Sequence, residues 1–197
     1  EFALSQVLKY ITPSVLVLLN LSRDQLDRYG EVDTIMERWR SAINDLSSET
    51  TLLSFEGQKE FKQLPELFSG TTVYFDSDDT LLNQSPLLGE FNARNINAAV
   101  SVLEILGYKR EDFIHALEDF DAAYGRGEVI AKDGQSFRIF LAKNPASFNH
   151  NLELLLNKSN EYDTCLFVLN DNLPDGRDVS WIYDIDPLLL SKACENK

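Results

Sequence analysis

The apolar positions of this chain fall into short continuous runs separated by amphipathic stretches. Ser14 to Leu19 and Thr51 to Phe55 are strand-length runs rich in Val, Leu and Phe, and Thr71 to Phe75 is a third. In Ser14 to Leu19 the apolar residues are continuous rather than alternating, which predicts a strand buried on both faces, as in a parallel sheet. Between the runs the period changes. Ile35, Met36, Trp39, Ala42 and Ile43 recur at helical spacing, predicting a helix over Thr34 to about Leu46 capped by Asp33. Short helices are predicted over Gln6 to Tyr10 and Gln58 to Leu67, with a turn at Asp76 to Asp79. Gly89 opens a helix that runs through Leu106 and ends at Gly107, and Lys109 to Tyr124 reads as another helix with Phe113, Leu117 and Phe120 on one face. Strand–helix alternation of this kind specifies an α/β fold.

The pattern changes at Gly125. Val129 to Ala131 and Ser136 to Ala142 flank Lys132-Asp133-Gly134-Gln135, and Asp-Gly between two extended runs predicts a hairpin. A helix is predicted from Ser147 or Phe148 to Lys158, a buried strand over Cys165 to Leu169, and a last helix over Pro187 to Ala193. After the Cys165 strand comes a loop with three acids (Asp171, Asp175, Asp178), two amides (Asn170, Asn172) and Arg177, followed by the apolar-aromatic run Val179 to Ile185. A polar loop between two buried runs is a common place for chemistry in α/β proteins. A domain boundary near Tyr124 divides the chain into residues 1–124 and 125–197.

Composition narrows the function classes. The chain has 197 residues, 44% hydrophobic and 25% charged, enough for one large domain or two small ones. Its formal net charge of −14 argues against nucleic acid as a partner. No apolar run reaches the ~18 residues of a membrane span, and no secretory signal is visible, so a cytoplasmic location is expected. Cys165 and Cys194 give neither metal spacing nor a disulfide framework. His115 reads as structural, His150 has no evident partner, and neither supports a hydrolytic triad.

Several residues are candidates for binding. Asn20, Asp24 and Gln25 lie just past a strand end, where open α/β sheets place nucleotide and metal sites; a polar turn accounts for them equally well. Asn92 and Asn95 are three apart near a helix start. Side-chain amides can read an adenine edge, and helix capping with a solvated face is the plainer alternative. Arg126 is either a phosphate or ribose clamp or an ordinary surface residue. No G-x-x-x-x-G-K-[ST] phosphate loop is present.

Together these segments resemble the Mur ligase family, which joins an amine to a carboxylate through an ATP-made acyl phosphate. Asn20-x-x-x-Asp24-Gln25-Leu26-Asp27 looks like the central-domain N-x-x-x-D-H-L-D motif. Gly89-x-x-Asn92-x-x-Asn95 is similar to the adenine-binding helix, Gly125-Arg126-x-Glu128 to the entry of the C-terminal ligase domain, and Asn144-Pro145-Ala146-Ser147 to that domain's N-P-x-S element. Within the family the likeness is to the MurT type. It is carried by Arg23-Asp24-Gln25-Leu26-Asp27-Arg28-Tyr29-Gly30-Glu31, by Lys143-Asn144-Pro145, and by the run from Leu169 to Asp184.

The resemblance implies a partial central domain, an open mostly parallel sheet with helices, followed by a small Rossmann-like C-terminal ligase domain. It implies ATP and Mg²⁺, with Asn20, Asp24 and Gln25 near metal and phosphates, Asn92 and Asn95 at adenine, and Arg126 on ribose or phosphate. Glu1 would be the last acid of a metal motif, with a P-loop segment upstream. The implied reaction amidates the D-glutamate α-carboxylate of the lipid II stem peptide to D-isoglutamine at the inner membrane face. Ammonia would come from a GatD-type glutamine amidotransferase subunit in a heterodimer. Asp178 first, and Asp175 second, would lend a carboxylate to that partner's Cys-His pair; the alternative is that both acids cap the loop backbone.

The sequence also departs from the family. Gln25 replaces the usual metal-binding His, no Lys stands where relatives carry a carbamylated one, and the C-x-x-C pairs of a zinc ribbon are missing between Leu53 and Gly89. Either a fragment of a larger ligase or a reduced relative fits these departures. A non-catalytic interaction subunit that docks and activates a glutamine amidotransferase is the alternative function, and a folyl- or poly-glutamate synthase a weaker one.

Overall fold

The computed structural model describes residues 3–21, 32–120, 122, 124–158, 161–170 and 179–195. These form two compact units, the second beginning after Phe120 and also taking in residues 87–89.

The first unit is built on three parallel strands in the order β1 (Val15–Leu18), β2 (Thr51–Phe55) and β3 (Thr71–Phe75). Leu16 pairs with Leu52 and Leu18 with Ser54; Leu53 pairs with Val73 and Phe55 with Phe75. Adjacent residues on a strand point to opposite faces, and both faces are covered here. Leu16, Leu18 and Leu52 pack with Ile35, Met36, Trp39 and Ile43 of α2 (Val32–Asn44) and with Phe61 and Leu64 of a 3-10 helix over Lys59–Glu66. On the other face Leu53, Phe55 and Phe75 pack with Ala98 of α4 (Glu90–Ile105), joined by Val102 and Ile105. This two-sided burial is why β1 and β2 read as apolar runs, whereas β3, at the sheet edge, buries only Phe75 and leaves Tyr74 45% exposed. Trp39 and Phe61 lie 6.0 Å apart between ring centroids, and Phe55 and Phe75 5.6 Å apart.

Two shorter helices complete this unit's front half, α1 (Leu4–Val7) and α3 (Asp79–Leu82). The end of α4 is a Schellman turn: Tyr108 N–H donates to Leu103 and Gly107 N–H to Glu104, both at 3.0 Å, with Gly107 at φ +89°.

The second unit contains the hairpin β4 (Arg126–Lys132) and β5 (Gln135–Phe140). Asp133 (φ 52°) and Gly134 (φ 78°) give the paired left-handed residues of a type I′ turn. A bulge at Gly127 interrupts the ladder between Arg126 and Glu128. After it come α6 (Pro145–Asn157), a 3-10 helix over Ser180–Asp184, and α7 (Pro187–Cys194). Phe148 is the apolar hub, 5.7 Å from Phe167 and 6.0 Å from Trp181. Asp186 caps α7 by accepting from Leu188 N–H and Leu189 N–H, while its own N–H donates to Asn149 Oδ1 at 2.9 Å.

Several expectations are corrected. Residues 165–170 form no strand, and Leu166 and Val168 are 85% and 80% exposed. Among the described residues no strand pairs with the Cys165 run, so its backbone has no ladder and its apolar side chains no sheet face to cover. The Val179 to Ile185 run, expected to be buried, is largely a 3-10 helix with no fully buried residue and with Tyr183 88% exposed. The single helix expected over 109–124 is a short α5 (Arg110–Phe113) followed by a 3-10 turn, Ile114–Leu117. Its later half carries Glu118, Asp119 and Asp121, acids that oppose the negative end of a helix dipole. Asp33 stands in the first turn of α2 rather than at its cap. His115 is exposed, not packed.

Candidate functional site

The carboxyl ends of β1, β2 and β3 bring the first unit's polar candidates to one edge, because all three strands run the same way. Past β1, Leu19 and Asn20 are exposed while Leu21 is buried again. Leu21 is held by Gln58, which lies just beyond β2. Leu21 N–H donates to Gln58 Oε1 at 3.2 Å, and Gln58 Nε2 donates to Leu21 C=O at 3.0 Å. The same Nε2 also donates to the Glu60 carboxylate.

Past β3, the turn at Asp76 to Asp79 is ordered by its own side chains. Asp76 accepts from Asp78 N–H at 3.2 Å. Asp78 caps α3, accepting from Thr80 Oγ1 at 2.7 Å and Thr80 N–H at 2.9 Å. Those two bonds, side chain first, hold the Asp78 carboxyl below the usual range, with a smaller contribution from Arg110. Asn97 of α4 ties the turn down, donating to Asp78 C=O at 2.8 Å and Ala93 C=O at 2.9 Å. Ser77 Oγ lies 3.4 Å from Glu90, and Glu90 pairs with Arg94 at 3.5 Å. The Arg94 guanidinium sits 4.2 Å above the Phe55 ring. The start of α4 is thereby fixed to the ends of β2 and β3.

Of the two amides expected at adenine, Asn92 is buried and Asn95 is exposed. Their three-residue spacing does not give one shared open face; Asn95 is the one accessible to a ligand. Asn20 is accessible at the strand edge. Arg126 is exposed at the start of β4 in the second unit, where Gly125 N–H donates to Glu128 at 3.0 Å. Glu1, Asp24, Gln25, Asp175 and Asp178 lie outside the described residues. Among the described residues no group of three or more His, Cys, Asp or Glu side chains could hold a metal ion. Magnesium needs only one or two carboxylates when substrate phosphates complete its shell.

The N-P-x-S element has a local physical role. Asn144 caps α6, its side chain accepting from Ser147 N–H at 2.8 Å, and Pro145 takes the first helical position. Ser147 Oγ accepts from Lys143 N–H at 3.1 Å and Asn144 N–H at 3.2 Å. This is a capping box, and it starts the helix two residues before Ser147. His150, for which no partner is evident in the sequence, lies 3.2 Å from Glu153 one turn along the same helix. Burial raises the pKa of Tyr162, opposed in part by Arg138.

Sequence reasoning missed Gln58, Arg94 and Asn97. Asn97 leaves a visible trace, as the third amide of Asn92-x-x-Asn95-x-Asn97. Gln58 leaves none, since its partner lies 37 residues away.

The parallel sheet and its helices have the fold seen in solved Mur ligases. MurF from Acinetobacter baumannii superposes with a TM-score of 0.66 at 22% identity, over 79% of this chain and 40% of that one. MurF from Thermotoga maritima, solved in complex with ADP, gives 0.62 at 20% identity over 77% and 41%. Residues 141–196 match the family described as MurT ligase C-terminal. The chain is 28% identical to the lipid II isoglutaminyl synthase (glutamine-hydrolyzing) subunit MurT of Staphylococcus aureus, using 98% of its own length. It spans 58% of the length of that relative.

Proposed function

We propose that this chain is part of a ligase subunit that amidates the α-carboxylate of D-glutamate in the lipid II stem peptide, giving D-isoglutamine for peptidoglycan synthesis. The observation that carries the reading is the MurT likeness, which extends over 98% of the chain. ATP would convert the carboxylate to an acyl phosphate with release of ADP. Ammonia would then add at the acyl carbon and phosphate would leave.

The exposure of Asn20 and Asn95 supports a nucleotide site in the first unit. Asn95 offers a donor and an acceptor together to an adenine edge. Asn20 would lie near the phosphates and Mg²⁺, with Asp24, Gln25 and Glu1 as further candidates. Arg126, in the second unit, is a separate candidate for ribose or phosphate through its planar guanidinium fork. Asn92, being buried, would support the helix rather than touch the base.

Ammonia would come from a GatD-type glutamine amidotransferase partner. Asp178, or Asp175 in second place, would orient and charge-stabilise that partner's catalytic His across the interface. The test is reconstitution of the full-length protein with the glutaminase, lipid II, ATP and glutamine. The expected result is ATP-dependent amidated lipid II, with Asp178→Asn lowering glutamine hydrolysis at least tenfold, in the range that removing a triad carboxylate produces. Glutamine hydrolysis stimulated without ATP dependence and without amidation would instead favour a non-catalytic docking subunit.

A further inference from the structure

We propose that Gln58 is a positioning residue for Asn20, holding it at the nucleotide edge of the sheet through a side-chain rung to Leu21. The inference rests on the reading above, in which Asn20 lies near the reacting phosphates.

The ladder between β1 and β2 has its last pair at Leu18 and Ser54. Three residues on, Leu21 is bonded through both its N–H and its C=O to one carboxamide, that of Gln58. A carboxamide presents a donor and an acceptor side by side, as a peptide group does, so the side chain extends the ladder where the backbone of β2 has turned away. Its orientation is determined by its neighbours. With Nε2 toward Glu60 and Leu21 C=O, every contact joins a donor to an acceptor. The flipped amide would set Oε1 against a carboxylate and a carbonyl.

The Leu21 side chain is 5% exposed and belongs to the apolar cluster on the α2 face. Leu18 is 2% exposed and belongs to the same cluster. Leu19 and Asn20 therefore span two anchored points. With the backbone fixed on both sides, the exposed Asn20 amide is presented from a rigid position rather than from a frayed strand end. Gln58 is suited to this because Glu in its place would supply only acceptors, would lose the bond to Leu21 C=O, and would set a second carboxylate beside Glu60.

The test uses the full-length protein with its glutaminase partner and four variants: Gln58→Met, Gln58→Glu, Asn20→Ala and the Gln58→Met/Asn20→Ala double. ATP-dependent amidation gives kcat and KM for ATP, and native-state amide exchange reports on Leu21 N–H. Gln58→Met should lower kcat/KM for ATP about tenfold, within the range that a small misplacement of a positioning group produces. It should also speed Leu21 exchange, and Gln58→Glu should lose at least as much activity. In the Asn20→Ala background Gln58→Met should cost less than twofold more, since both act through one side chain. A loss that persists undiminished in that background overturns the proposal, as does a Gln58→Met variant within twofold of wild type. If Asn20→Ala alone is silent, Asn20 is not at the phosphates and the role of Gln58 falls with it. A wild-type protein with no ATP-dependent amidation overturns the functional reading itself.

Discussion

Asn144→Ala should weaken the second unit by about 1 kcal/mol, within the roughly 0.5–2 kcal/mol range for lost N-caps. The substitution removes the side-chain oxygen that accepts from Ser147 N–H at 2.8 Å and leaves that donor without its partner at the start of α6. Ser147→Ala removes the acceptor of Lys143 N–H and Asn144 N–H, so a similar cost is expected. The two halves share one turn, and the double variant should lose less than the sum. Asn144→Asp keeps an acceptor in place and adds negative charge at a helix N-terminus, so it should restore most or all of the stability. The assay is urea unfolding followed by Trp181 fluorescence. The chain has two tryptophans, and Trp39 lies in the first unit, so a Trp39→Phe background leaves Trp181 as the reporter beside Phe148. The reasoning is refuted if Asn144→Asp is as damaging as Asn144→Ala. That result would mean the amide's N–H₂ is what matters, and the element would then be serving a ligand or partner instead of starting a helix.

Leu52→Ala, at a fully buried position between β1 and β3, should destabilise the first unit by about 3 kcal/mol, read by the Trp39 transition in urea. Gly107→Ala should cost about 1 kcal/mol by the same measurement, because the position has open space but a φ of +89°. Asp78 has a lowered pKa, so its contribution to stability is present above about pH 4 and is lost as pH falls through the lowered value; Asp78→Asn should flatten that part of the acid limb in thermal melts. Tyr162 has a raised pKa, so its contribution is present below about pH 10 and is lost as pH rises through the raised value; Tyr162→Phe should soften the alkaline decline.

The first unit was legible because local pattern and tertiary burial agree there. Thr51–Phe55, buried on both faces, and the edge strand Thr71–Phe75 match their predicted limits to the residue. The hairpin was legible from a single dipeptide, Asp133-Gly134, whose backbone angles the turn requires. The run Cys165–Leu169 misled because an apolar run shows only the capacity to form a strand, whereas a strand exists only where a second chain segment completes its hydrogen bonds. The helix start at Pro145 was missed for a different reason. Asn144-Pro145-Ala146-Ser147 was read by its family likeness, although Asn, Pro and Ser at cap, first and third positions already describe a helix beginning. At the candidate site, the accessible Asn95 and Asn20 could be named from spacing. The residues that hold the edge together, Gln58 and Arg94, could not, because their contacts join segments far apart in the chain.

The pairing of the first sheet has a kinetic consequence. Every rung in it is non-local: Leu16 meets Leu52, and Leu52 meets Thr72. Each requires a long loop to close before any rung forms, whereas the β4–β5 hairpin closes across two residues, Asp133 and Gly134. Hairpins of that kind form in about 1–10 μs, and parallel sheets are slow. During synthesis and refolding, then, the hairpin should be in place while β1, β2 and β3 are still seeking one another. Val15 to Leu18 and Thr51 to Phe55 are the segments exposed in that interval, and they are where aggregation of newly made chains should begin.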